Sequence, residues 1–249
     1  MLESERHQTI IDRLKENQTV KLKDLVEITD SSESTIRRDL TQLEQQKYLK
    51  RVHGGASRLQ GKLQEPSMTE KSFKNLQHKQ RIASFAGGLV EEGDSIYLDA
   101  GSTVFEAIPH LPNNIVVVTN GLTHVNKLLE RNIKTYVLGG YAKQKTKAII
   151  GRGALESLKQ YRFDKCFIGV NGIHPEFGFT TPDQEEAHIK QLAIYLSREA
   201  YVLADDSKFS EIAFSKITDI HDATIITNNL DIEMEEQLSN NTNVKVVTT

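Results

Sequence analysis

The stretch Ser31-Ser32-Glu33-Ser34-Thr35-Ile36-Arg37-Arg38-Asp39-Leu40-Thr41-Gln42-Leu43 decides how the amino-terminal segment folds. Its leading serines offer hydroxyls that can cap a helix, and Ile36, Leu40 and Leu43 then recur at i, i+4 and i+7. With that stripe turned inward, at about 100° per residue, Ser34, Arg38, Thr41 and Gln45 fall on the opposite face. Thr35 and Arg37 flank them. A helix that enters the major groove needs this division, because apolar residues anchor it while guanidinium, hydroxyl and amide groups face bases and phosphates.

Two shorter apolar stripes precede this helix: Ile10, Ile11 and Leu14, then Leu22, Leu25, Val26 and Ile28. After it, Tyr48–Val52 reads as a strand, His53-Gly54-Gly55-Ala56 as a turn and Ser57–Leu59 as a return strand. Paired glycines suit the positive φ of a tight hairpin turn. Three helices and a hairpin outline a winged helix-turn-helix over residues 1–57. Lys50, Arg51 and His53 place further donors on the wing, and Gly54 and Gly55 complete the set expected to meet DNA.

Charge supports the same reading. The 249-residue chain carries 31 Lys plus Arg against 34 Asp plus Glu, a net charge of -3, which as a whole disfavours a nucleic-acid binder. Residues 34–60, however, hold 6 basic and 2 acidic side chains, so a local +4 sits inside a slightly acidic protein. The expected partner is double-stranded operator DNA. Paired half-sites call for a homodimer or homotetramer.

Residues 58–75 are polar, contain Gly61 and Pro66, and keep no sustained period, which predicts a linker with room for some helix. Beyond it, residues 76–249 alternate between two patterns. Runs rich in β-branched residues occur at Ser95–Leu98, Ile115–Thr119, Lys134–Leu138, Lys165–Val170, Ala200–Ala204, Ala223–Thr227 and Val244–Val247. Helical patterns lie near His78–Glu91, Thr103–His110, Thr123–Arg131, Ala154–Tyr161, Gln184–Ser197 and Ile232–Leu238. The fold class is therefore α/β, with a largely parallel sheet covered on both faces. Ligands in such sheets bind at the carboxyl ends of strands.

Three loops at those ends carry anion-binding chemistry. Asp99-Ala100-Gly101-Ser102-Thr103 leaves a strand and opens a helix, so small residues, hydroxyls and a helix terminus converge. Thr119-Asn120-Gly121 repeats the layout, and Gly139-Gly140 follows the third strand. Asn171 and Gly172 end another strand, Glu186 and Lys190 are spaced i, i+4 on a helix, and Asp205 and Lys208 follow a later strand. Singly, each is an ordinary turn, cap or surface pair. Together they predict a binding site.

Ser34–Leu40 followed by Leu49–Ala56 resembles the DNA-binding signature of the DeoR family of bacterial transcriptional regulators. The later motifs match that family too, so the resemblance spans essentially the whole chain. It implies a sensor domain similar to ribose-5-phosphate isomerase, with a phosphorylated sugar as effector of a repressor of a sugar-utilisation operon. In that arrangement the Asp99–Thr103 loop holds the phosphate, and Lys208 and Glu186 lie nearer the sugar. Glu5-Arg6-His7-Gln8 and Tyr161-Arg162-Phe163-Asp164 resemble family members tied to fructose use, which favours fructose 1-phosphate.

The rival is an active sugar-phosphate isomerase, which needs a positioned general base. Isomerases carry paired carboxylates where this chain has Asn171-Gly172-Ile173, which leaves Glu186 and Asp205 as candidate bases. No catalytic residue is assigned and binding is preferred. The histidines show no two-ligand spacing, and the single Cys166 sits beside Phe167 and Ile168 as a core thiol, so no metal, cofactor or intrachain disulfide is expected. No apolar run is long enough to span a membrane, and a cytoplasmic location is expected.

Overall fold

The computed structural model describes residues 2–17, 19–46, 48–52, 54–58, 65–239 and 241–247. It divides into two compact units, Met1–Gly61 and Lys62–Thr249.

In the first unit α1 (Glu3–Glu16), β1 (Thr19–Lys21), α2 (Leu22–Thr29), α3 (Glu33–Gln45), β2 (Leu49–Val52) and β3 (Gly55–Arg58) follow in order. The Ser32 hydroxyl caps α3 by accepting from the Thr35 N–H at 3.2 Å. Ile10, Leu14, Leu25, Ile36, Leu40, Leu43 and Leu49 form the core. Ile28, placed inward by the sequence pattern, is 37% exposed, and Thr29 takes its place at 2%. Positions 22, 25, 26 and 29 keep the helical spacing that 28 breaks.

The small sheet runs β1-β3-β2, antiparallel throughout. β1 is absent from the sequence reading, since three residues are too few to show alternation. Val52 pairs with Gly55 and Arg51 with Ala56, so Gly55 and Ala56, expected in the turn, belong to β3. Gly54 adopts φ 79°, and His53 lies outside the described residues. Gly55 is required for a different reason: a Cβ there would overlap the Val20 carbonyl oxygen of β1.

An acidic group sits inside this core. Asp39 on α3 is fully buried and accepts from Arg6 Nε, from Arg6 Nη2 at 3.0 Å and lies 3.3 Å from His7 Nε2, both on α1. Burial alone would raise the Asp39 pKa, but Arg6 and His7 outweigh it and hold the carboxyl below its ordinary value. The forked contact fixes α3 against α1.

The second unit contains α4 (Met68–Phe73), α5 (Leu76–Gly87), β4 (Ser95–Leu98), α6 (Ser102–Ala107), β5 (Val116–Thr119), α7 (Leu122–Glu130), β6 (Lys134–Val137), β7 (Tyr141–Ala142), β8 (Ile149–Ile150), α8 (Arg152–Leu158), β9 (Phe163–Gly169), β10 (Gly172–His174), β11 (Gly178–Thr181), α9 (Gln184–Tyr195), β12 (Ser197–Leu203), β13 (Ser215–Thr218), β14 (Thr224–Thr227), α10 (Ile232–Ser239) and β15 (Val244–Val246). Seven strands in the order β15-β14-β12-β9-β4-β5-β6 make a wholly parallel sheet. These are the seven runs read from the sequence. Alternate residues enter opposite cores, Tyr97, Cys166, Ile168 and Val202 on one face and Ile96, Leu98, Phe167 and Leu203 on the other. The short strands β7, β8, β10, β11 and β13 are additions, and α4 falls in the stretch 58–75 where the sequence left room for some helix. Among the described residues no helix is long and apolar enough to cross a membrane.

Asp39→Ala should destabilise the first unit by roughly 3 kcal/mol, because it leaves the Arg6 charge buried without its partner. The Asp39 contribution is complete above the ordinary carboxylate pKa of 3.8 and is lost as pH falls through the lower folded value. Denaturant unfolding at neutral and acid pH checks both; equal stability of variant and parent at pH 7 would contradict the first.

Candidate functional site

The sheet order reverses between β4 and β9: the chain leaves β4 towards β5 and β6, then returns on its other side to β9, β12, β14 and β15. In open parallel sheets this switch point is where ligands bind. Asp99, the residue after β4, lies there at 1% exposure. Its Oδ2 accepts from the Gly169 N–H at 3.0 Å and from Lys190 Nζ of α9 at 2.5 Å. Gly101 and Gly169 face each other closely, since a Cβ built on either would lie 3.4 Å from the other's Cα. Ser102 and Thr103 follow, both buried, in the first turn of α6.

Lys190 is itself buried. Burial disfavours its charge, but Asp99 and Glu186 outweigh that and raise its pKa. Glu186, one turn earlier on α9, accepts from Lys143 Nζ at 3.1 Å and from the Thr146 hydroxyl at 2.7 Å. Burial would protonate it, yet Lys190 and Lys143 hold its pKa below the usual glutamate value. Glu186 and Lys190 are thus buried groups with separate close partners, not a surface pair. Asp205, past β12, accepts from Asn75 Nδ2 at 3.0 Å and from the Ser207 N–H at 3.1 Å. Burial raises its pKa, and Lys208, Ser207 and Asn75 more than reverse the shift.

Several members of this cluster had not been singled out. Lys79 of α5 donates to the Lys71 carbonyl, and burial brings its pKa down to about 8, with Lys208, Lys71 and Lys74 adding repulsion against the pull of Asp205. Lys71 is likewise lowered by burial, beside Glu65, Glu186, Lys190 and Lys208. Lys143 is shared by Glu65, Asp183 and Glu186. Lys79 had a readable signal: it precedes Ile82, Ala83 and Ala86 on the buried stripe of α5, where a charge is out of place. Glu65 had none, standing before Pro66 in an aperiodic stretch.

Other candidate residues occupy supporting positions. Thr119 donates to the Leu98 carbonyl at 2.7 Å and accepts from the Gly121 N–H at 3.0 Å, while Asn120 Oδ1 accepts from the Ala100 N–H at 2.9 Å. Both are buried and tie the β5 loop to the β4 loop. Gly140 adopts φ 149° against Ile150 and Ala154 at the start of α8, and Gly139 borders open space. Asn171 Oδ1 accepts from the Thr181 hydroxyl at 3.1 Å, and a side chain at Gly172 would overlap the Glu211 carbonyl.

In the first unit the exposed face of α3 presents Ser34, Arg38 and Gln45, with Thr35 and Thr41 half-buried. Arg37 pairs with Glu33 at 2.6 Å, and Arg51 Nη1 donates to Thr41 Oγ1 at 2.9 Å while its N–H meets Glu44 Oε1 at 2.7 Å. These contacts lash the wing to α3. Lys50 on β2 also has contacts of its own. Arg38 has no ion pair among the described residues.

A model of the DeoR-like helix-turn-helix domain matches residues 6–61, and one of the DeoR C-terminal sensor domain matches residues 74–230. The chain belongs to the DeoR family. Among its DeoR-family relatives is FruR of Bacillus subtilis (strain 168), an HTH-type transcriptional regulator 52% identical over 99% of each chain. The lactose phosphotransferase system repressor of Staphylococcus epidermidis is 34% identical over 88% of this chain and 90% of its own. Among solved structures, ribose 5-phosphate isomerase A of Methanocaldococcus jannaschii shares 19% identity over 55% of each chain, with a TM-score of 0.41.

The DeoR sensor unit also buries His124 at the start of α7. Its Nδ1 lies 3.2 Å from Thr119 Oγ1, and its ring stacks on Phe105 at 5.7 Å. The Thr119 hydroxyl hydrogen is directed to the Leu98 carbonyl, and the Gly101 backbone is a second polar neighbour of the ring that favours its charged form. Burial brings its pKa down from 6.5 to about 4. The unfolded chain therefore binds a proton more readily in that interval, so this stabilising contribution is complete above pH 6.5 and lost towards pH 4. His124→Phe should flatten the fall in stability between those limits, read by denaturant unfolding of the sensor unit. An unchanged slope would assign the acid sensitivity elsewhere.

Proposed function

We propose that this chain is a repressor of a sugar-utilisation operon, in which the first unit binds operator DNA and the second binds a phosphorylated sugar, with fructose 1-phosphate favoured. The observation that carries the reading is the switch-point cluster, where the Asp99–Lys190 pair holds the Gly101–Thr103 loop beside buried lysines. Backbone N–H groups, two hydroxyls and Lys208 are the donors a phosphate needs. Asp99, Gly101, Ser102, Thr103, Glu186, Lys190, Asp205 and Lys208 line or shape this site; Thr119, Asn120, Gly139, Gly140, Asn171 and Gly172 support its loops. The resemblance of Glu5–Gln8 and Tyr161–Asp164 to family members tied to fructose use favours a fructose-derived ligand.

Binding without turnover is the better reading of the carboxylates. A general base needs a lone pair turned to substrate. One oxygen of Glu186 is engaged by Lys143 and Thr146 and one of Asp205 by Asn75 and Ser207, and nearby lysines hold both carboxyls below their ordinary pKa, which makes each a weak base. The repressor acts in the cytoplasm as a homodimer or homotetramer, so that two copies of α3 meet paired half-sites.

On the DNA side, Ser34, Thr35, Arg37, Arg38, Thr41, Lys50, Arg51, His53, Gly54 and Gly55 form the contact face. Arg38→Ala should cost about 1–3 kcal/mol of operator affinity and relax specificity at one base pair. Binding of variant and parent to an operator fragment decides this; unchanged affinity removes Arg38 from the interface. Thr103→Ala should leave operator affinity intact and weaken the response to fructose 1-phosphate. To separate regulator from enzyme, the full chain is incubated with aldose and ketose phosphates. No turnover is expected, and sustained conversion abolished by Glu186→Gln would overturn the binding-only reading.

A further inference from the structure

Residues 62–73 lie between the two family models, which cover 6–61 and 74–230. Part of this stretch is nevertheless anchored in the charged cluster. Glu65 is 6% exposed although no helix or strand contains it. Its Oε2 accepts from Lys143 Nζ, and its Oε1 faces Lys71 Nζ at 3.8 Å with no hydrogen bond among the described residues. Met68 N–H donates to the Lys145 carbonyl at 3.0 Å, which docks the start of α4 on the connection between β7 and β8.

An ammonium has three protons, and Lys143 spends them on three carboxylates, Glu65, Asp183 and Glu186. The three are not equally held. Asp183 also accepts from the Glu185 and Glu186 N–H groups as the cap of α9, and Glu186 has Thr146. Glu65 has no comparable support, and a buried carboxylate oxygen without a donor is unfavourable. It is the carboxylate most readily exchanged for another anion, and it is carried by the stretch of chain that follows the DNA-binding unit.

We propose that Glu65 is a built-in anionic latch, occupying Lys143 until an anionic sensor ligand competes for Lys143 and Lys71 and frees the segment leading to the DNA-binding unit. The ligand class, a phosphorylated sugar, rests on the function proposed above. A ligand acts on the latch only through its preference for the open state, and its apparent affinity is reduced by the fraction of molecules that are open. Removing the latch charge therefore has two linked effects: it tightens ligand binding and it loosens the segment before any ligand arrives.

The test uses the full chain, as parent, Glu65→Gln and Glu65→Asp, with fructose 1-phosphate and inorganic phosphate as probes. Amide hydrogen exchange across residues 66–75 and calorimetric titration are read on each protein, and a thermal melt verifies folding. In the parent, ligand should accelerate exchange in 66–75. Glu65→Gln should show that faster exchange without ligand and bind fructose 1-phosphate several-fold more tightly, and Glu65→Asp should restore part of the slow exchange. Equal affinity in parent and Glu65→Gln, with unchanged exchange in 66–75, overturns the latch and leaves the sensor reading intact. Failure of both probes to bind any of the three proteins instead refutes the sensor reading and the ligand-driven latch with it.

Discussion

Asp99 and Lys190 bury opposite charges where β4, β9 and α9 converge, and that placement constrains what the carboxyl edge of the sheet can do. Taking both ions out of water is costly, and each makes the other tolerable. The same Asp99 oxygen also receives the Gly169 N–H, so one carboxylate joins the two strands that flank the switch point to the helix behind them. The loops can close on it because Gly101 and Gly169 carry no side chains at the point of approach. Thr119 and Asn120 then brace the arrangement from β5. The cluster at the strand ends is thus built from an ion pair outward.

The first unit uses the same device for another purpose. Asp39 sits on the inner face of α3 with Ile36, Leu40 and Leu43, where an apolar residue would pack without cost in solvation. Held by Arg6, it gives α3 a single orientation on α1, which a smooth apolar stripe specifies less strictly. On the opposite face Thr41 and Glu44 hold Arg51, which sets the wing against the same helix. A reading helix has to be positioned to within a base pair, and these polar contacts supply that positioning.

Most of the architecture was legible in the sequence because it is periodic. The parallel strands read as short runs rich in β-branched residues, buried in the centre of the sheet and exposed at its edges β6 and β15, and the α3 stripe reads as i, i+4, i+7. The elements missed, β1, β7, β8, β10, β11 and β13, span two to four residues each, too few to show a period. For the site, motif residues next to strand ends were visible, and Asp99, Glu186, Lys190, Asp205 and Lys208 do share one cluster. Their partners were less visible. Lys143 and Glu65 come from irregular segments 78 residues apart, and only the fold brings them together. Thr119 and Asn120 could be located by motif but not assigned as braces, since bracing depends on which backbone group lies opposite.

In the function proposed above, ligand binding at the switch-point cluster controls DNA binding by the first unit. Fluorescence anisotropy of a labelled operator fragment from the protein's own upstream region, titrated with fructose 1-phosphate, fructose 6-phosphate and fructose, tests it most directly. A phosphorylated sugar should change operator affinity saturably, and free fructose should leave it unchanged. Operator affinity that stays constant across all three, with a protein shown to bind the fragment, would contradict it.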